Sequence, residues 1–107
     1  MKHVFNLVNY RDRLILMSGG YSSAFKTKDM LATVERYDVL QDAWFEDDTP
    51  DLNVGRYNHS SCSLGNKVYI FGGVSFSNQD LNSIESLDAE KLLQGEQTHW
   101  VLIRTTI

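Results

Sequence analysis

The chain carries the same string of signals twice. Gly19-Gly20 closes the apolar run Leu-Ile-Leu-Met-Ser, and Gly72-Gly73 closes Val-Tyr-Ile-Phe 53 positions later. A Val34-Glu35 or Ile84-Glu85 pair and then a lone Trp44 or Trp100 follow each double glycine. Self-similarity at a period of this length marks a repeat architecture, in which one unit cannot bury its own apolar faces and must stack on the next.

The two copies hold register except at one place. Glu35 to Glu85 and Asp38 to Asp88 are both 50 apart, whereas Trp44 to Trp100 is 56, so the extra residues lie between Asp88 and Trp100. Length variation confined to one segment reads as a lengthened hairpin loop, since a surface connection tolerates insertion and a packed strand does not. The apolar runs are short, rich in β-branched and aromatic residues, and bounded by Gly, Asn, Asp and Ser, which predicts strands. Val68–Phe71 is continuously apolar, as in a strand covered on both faces. Gly65-Asn66 sits between two such runs as a tight hairpin turn. Strands are predicted over 4–9, 14–18, 32–38, 43–46, 58–63, 67–71, 83–88 and 99–103, with no helix. Four strands per repeat is the arithmetic of a propeller blade.

In order, the chain presents Gly19-Gly20, Val34-Glu35-Arg36-Tyr37-Asp38, Trp44, Arg56-Tyr57-Asn58-His59 and Gly72-Gly73. This combination resembles the kelch repeat, from about Phe5 to Ile103. The second copy departs at Leu87, which replaces the Tyr, and no Arg-x-x-His follows Trp100. The expected fold is all-β, with four-stranded antiparallel kelch-type propeller blades, about two of them, the first over 4–54 and the second over 55–107. Propellers close with roughly four to eight blades. Two therefore imply an incomplete ring: a fragment of a longer propeller, which is the favoured expectation, or a chain that self-associates to complete one.

The chain has 10 Lys and Arg against 14 Asp and Glu, a net charge of −4, and no basic run, which disfavours nucleic acid and anionic membrane as partners. The acidic cluster Glu46-Asp47-Asp48 with Asp51 reads as a solvated loop. No signal-peptide pattern or membrane-length apolar run appears. Cys62 is the single cysteine and cannot form an internal disulfide, which fits a reducing, cytoplasmic setting.

Nothing in the sequence assembles catalytic chemistry. His3, His59 and His99 lack metal-ligand spacing. His59 and Cys62, three apart on a strand, point to opposite faces. No phosphate-cradling loop leads into a helix. No cofactor is expected. The double glycines, Gly19, Gly20, Gly72 and Gly73, read as structural positions where backbones crowd. Trp44 and Trp100 read as apolar wedges between blades, Tyr37 as a related core residue, and His59 as a packed or hydrogen-bonded residue at a blade corner.

Function is expected in two loops: Tyr21, Ser22 and Ser23 with their counterparts Ser75 and Phe76 after the double glycines, and the turn Arg56-Tyr57-Asn58. In peptide-binding kelch propellers such loops face one end of the ring, so the resemblance implies a shared recognition surface. On that reading Arg56 pairs with a partner's acidic group, Tyr21, Tyr57 and Phe76 supply apolar contact, and the Ser and Asn residues hydrogen-bond. The competing structural reading closes these turns and pairs Arg56 with an acidic neighbour such as Glu35. The expected role is a non-catalytic adaptor or scaffold that binds a protein or peptide. The alternatives are a purely structural repeat, or part of an enzyme like the copper oxidases that use kelch-like propellers, which needs several His and Tyr ligands and a thioether-forming Cys that this chain cannot supply alone.

Overall fold

The computed structural model describes residues 5–20, 31–45 and 49–104. It holds two four-stranded antiparallel sheets, ordered as a simple meander. The first comprises β1 (Asn6–Tyr10), β2 (Leu14–Ser18), β3 (Val34–Asp38) and β4 (Ala43–Phe45), and the second β5 (Ser60–Leu64), β6 (Lys67–Phe71), β7 (Ser83–Asp88) and β8 (Val101–Arg104). These are two kelch-type blades.

Alternation of side chains along each strand decides which face is covered. In the first blade Val8, Tyr10, Leu14, Leu16 and Val34 share a face and are buried. In the second, Val68, Ile70 and Leu87 do the same. The two faces meet in one core with Leu52, Leu92 and Trp100. The inner strands β1 and β5 lie side by side. Asn6 Nδ2 donates to the His59 carbonyl at 2.9 Å, and the Ser61 hydroxyl donates to Asn6 Oδ1.

The insertion after Asp88 differs from the predicted plain hairpin loop. It forms a one-turn helix, α1 (Ala89–Leu93), capped by Asp88, whose Oδ1 accepts from Lys91 N at 3.0 Å. Ala89 and Leu92 are buried in the core between the blades, while the Tyr10 hydroxyl of the first blade donates to Glu90 Oε1 at 2.8 Å. Asp88 is a good cap, and Ala-Glu-Lys-Leu-Leu is a run of strong helix formers with apolar residues three and four apart. Burial of Leu92 supplies what so short a helix lacks in isolation.

Candidate recognition site

Residues 49–59 carry the chain from the outer edge of the first blade to the inner strand of the second, and both blades grip this segment. Trp100 Nε1 donates to the Pro50 carbonyl at 3.0 Å, and Leu52 N donates to the Ala32 carbonyl at 2.8 Å. Arg56 N donates to the Leu31 carbonyl, and Gly20 N to the Arg56 carbonyl, both at 3.0 Å. On the other side Tyr57 and Val74 exchange backbone hydrogen bonds of 3.0 and 2.8 Å. Gly73 makes this approach possible: at φ 91° an added Cβ would stand 2.7 Å from the Tyr57 carbonyl oxygen and 2.9 Å from His59 Cβ.

Glu85 fixes the backbone of this segment. Its Oε1 accepts from Asn53 N at 2.6 Å and Asn53 Nδ2 at 3.2 Å, and its Oε2 from Val54 N at 2.9 Å and Arg56 Nη2 at 2.8 Å. Arg56 is fully buried, and all five of its guanidinium N–H donors have acceptors. Nε donates to the Val54 carbonyl, Nη1 to the Gly72 and Ser83 carbonyls, and Nη2 to Ser83 Oγ and Glu85. Burial pulls the guanidinium below the ordinary arginine value, and the Glu85 charge and hydrogen bond oppose that pull. It stays charged at any working pH.

This placement corrects the expectation for Arg56. A guanidinium sealed inside the chain is not available at the surface to a partner's acidic group. The acid it meets is Glu85 of its own blade, not Glu35. Of the other expected recognition residues, Tyr57 is half-buried with its hydroxyl donating to Asn78 Oδ1 at 2.9 Å, and Asn58 is exposed at φ 56°. Phe76 is exposed. Ser75 is half-buried and organises its own turn, accepting from Gln79 N at 3.2 Å and bonding the Ser77 hydroxyl at 3.0 Å. Tyr21, Ser22 and Ser23 lie outside the described residues, as do His3 and the acidic run 46–48.

Ser75 and Phe76, together with Ser77, form one wall of an open depression of about 390 Å³ whose other wall is Asn53, Val54 and Gly55. The second wall has no distinctive composition. What places it there is the Glu85 carboxylate, about 30 positions away, so no local pattern in the sequence points to it. The depression offers an aromatic ring and hydroxyls above a backbone held rigid from below, a combination suited to adaptable recognition.

The residues read as structural divide. His59 is buried at the corner between the blades, with Nε2 2.8 Å from the Ser18 hydroxyl, while Cys62 is exposed. Trp100 is 4% exposed, in the core between the blades, but Trp44 is 50% exposed. Trp44 packs at 5.2 Å on Tyr37, on the face of the first blade turned away from the second, so Tyr37 is not part of the shared core. Both read as wedges from sequence because the motif is common to both copies; among the described residues, only the second copy has a blade in front of it.

A kelch motif model matches residues 55–92, spanning the buried Arg56, the second double glycine and Glu85. The chain belongs to the kelch-repeat family. Kelch-like protein 15 from Gallus gallus is 42% identical over 59 residues, which is 53% of this chain and 12% of that protein. Kelch repeat and BTB domain-containing protein 1 from camelpox virus is 34% identical over 77 residues, 72% of this chain and 13% of that protein. Its vaccinia virus (strain Copenhagen) namesake is 32% identical over 80 residues, 75% of this chain and 14% of that protein. The chain thus spans a small fraction of the length of these kelch relatives.

Proposed function

We propose that these kelch blades form a non-catalytic protein-recognition module that docks a peptide or loop in the depression between residues 53–55 and 75–77. The observation that carries this reading is the pairing of an exposed aromatic, Phe76, with a facing stretch of backbone immobilised by Glu85. Apolar contact with an exposed ring contributes affinity, and a preordered floor reduces the entropy lost on docking. Phe76 and Tyr57 would supply apolar contact, Asn58 and Asn53 hydrogen bonds, and Ser75 would hold the loop. The adaptor or scaffold role is proposed on the same footing, supported by the kelch and BTB names of the similar proteins. A cytoplasmic setting is part of the proposal and rests on the single, unpaired Cys62.

The test is selection of peptides from a displayed random library against the folded chain, followed by titration of the selected peptides on Phe76→Ala and on Leu40→Ala, a control remote from the depression. Loss of about tenfold or more in affinity for Phe76→Ala, with an unchanged melting temperature and an unaffected control, supports the reading. Equal affinity for both variants overturns it.

A further inference from the structure

Asp88 to Trp100 spans 12 positions, where Asp38 to Trp44 spans 6. The added length forms α1 and the stretch 94–99 that returns the chain to β8. With Thr49 and Pro50 it lines an open cleft of about 210 Å³, which shares no residue with the depression at 53–55 and 75–77. Leu92 of its lining belongs to the core between the blades, and Trp100 Nε1 holds the Pro50 carbonyl. The cleft therefore lies on the seam that the two blades close together, not on either outer face.

Thr49 and Leu92, each 6% exposed, make the base of the cleft; Glu96, Gln97 and His99 are exposed and make its rim. The Thr49 hydroxyl is buried and has no hydrogen-bond partner among the described residues. By contrast, the buried Ser18 and Ser83 hydroxyls are paired with His59 and Arg56. Folding strips water from a group with one donor and two acceptor sites and returns nothing, a cost that native structures seldom carry without a use.

The rest of the lining specifies what can supply the missing partner. Pro50 and Leu92 offer apolar surface, Glu96 a carboxylate, and Lys91 of α1 does not line the cleft. The surrounding charge is negative: Asp51 adjoins Pro50, Glu46-Asp47-Asp48 directly precedes Thr49 in the sequence, and the whole chain carries −4. At about 210 Å³ the space falls short of the roughly 300–1,000 Å³ that encloses a whole small molecule. It suits one long side chain with an apolar stem and a cationic head rich in donors, and arginine has both.

We propose that this cleft binds the arginine side chain of a basic peptide segment. The stem lies on Pro50 and Leu92, one guanidinium N–H donates to Thr49 Oγ1, and others donate to the Glu96 carboxylate. The planar fork reaches both acceptors at once, which a single ammonium does not.

The test titrates the nitrogen-labelled 107-residue chain with the tripeptide Gly-Arg-Gly, blocked at both ends, and follows amide and indole signals by NMR. A second tripeptide carries citrulline, which keeps the shape of arginine and loses its charge. Saturable shifts are expected at the Trp100 indole and at amides 97–99. Affinity falls about fivefold or more with citrulline, with Glu96→Gln and with Thr49→Val. Thr49→Val removes only an unpaired hydroxyl, so its melting temperature stays level or rises while binding weakens. Equal affinity for citrulline, or for either variant, overturns the inference, as do shifts that never saturate or that fall away from the cleft. A lower melting temperature for Thr49→Val overturns it too, because the hydroxyl would then serve the fold and not a ligand.

Discussion

The Arg56 guanidinium and the Glu85 carboxylate meet at 2.8 Å with neither side chain accessible to solvent. Such a pair stabilises little by itself, because desolvation offsets the attraction, but its halves cannot be separated cheaply. Here the geometry extends beyond the pair: Glu85 also holds two backbone N–H groups, and Arg56 reaches three carbonyls.

Arg56→Ala therefore destabilises the chain by about 3–5 kcal/mol, measured by urea denaturation, through a buried and unpaired carboxylate. Arg56→Lys does not rescue it, since one ammonium with three donors cannot satisfy acceptors spread around a planar fork. The double change Arg56→Met with Glu85→Leu recovers only part of the loss, because the Asn53 and Val54 N–H groups remain without Glu85.

Two of the glycines at positive φ, Gly65 and Gly73, separate conformational strain from collision. Nothing lies within 4 Å of a Cβ added at Gly65, so Gly65→Ala costs roughly 1–2 kcal/mol for its φ of 63° alone. Gly73→Ala drives a methyl into the Tyr57 carbonyl and His59, and costs a further 1–3 kcal/mol or so. Equal losses in paired denaturation curves would show that the segment at 57–59 yields.

Tyr10 gives the fold an alkaline limit. Burial foremost, and then the hydrogen bond to Glu90, raise its pKa above the ordinary tyrosine value. The folded state thus holds this proton more tightly than the unfolded chain. The associated stability is complete below about pH 10 and is lost as pH rises through the raised folded-state value. In pH-dependent melts Tyr10→Phe loses about 1 kcal/mol at neutral pH and shows a shallower alkaline decline than the unaltered chain.

The tryptophans are predicted to behave unequally. Trp100→Ala costs about 3–5 kcal/mol, since it empties part of the core between the blades. Trp44→Ala costs about 1 kcal/mol, the value of its tilted contact with Tyr37. A similar loss at both sites in thermal unfolding would contradict the placement of Trp44 on a free face.

What the sequence made legible was whatever repeats or alternates. The double glycines, the β-branched runs and the turn at Gly65 mark β2, β6, β7 and the second hairpin, whose bounds agree with expectation at 14–18, 67–71 and 83–88. Contacts between distant residues were not legible. Arginine is seldom fully buried, and it takes acceptors as distant as Gly72, Ser83 and Glu85 to make Arg56 an exception. Helix α1 left a local signal, Asp88 followed by Ala-Glu-Lys-Leu-Leu, but five residues are too few for a helical period to stand out. The wall at 53–55 left none, because its position depends on a carboxylate in another strand.

The Glu85 carboxylate grips main-chain N–H groups at Asn53 and Val54, and such a grip is indifferent to the side chain at residue 54. Phe76 and Ser77, opposite, project from a turn held by its own Ser75. The foundations and the lettering of this surface are therefore separate. Drift at positions 54, 76 and 77 can rewrite what the depression accepts while the blades beneath stay as they are, so its specificity can change in single substitutions without passing through an unfolded ancestor.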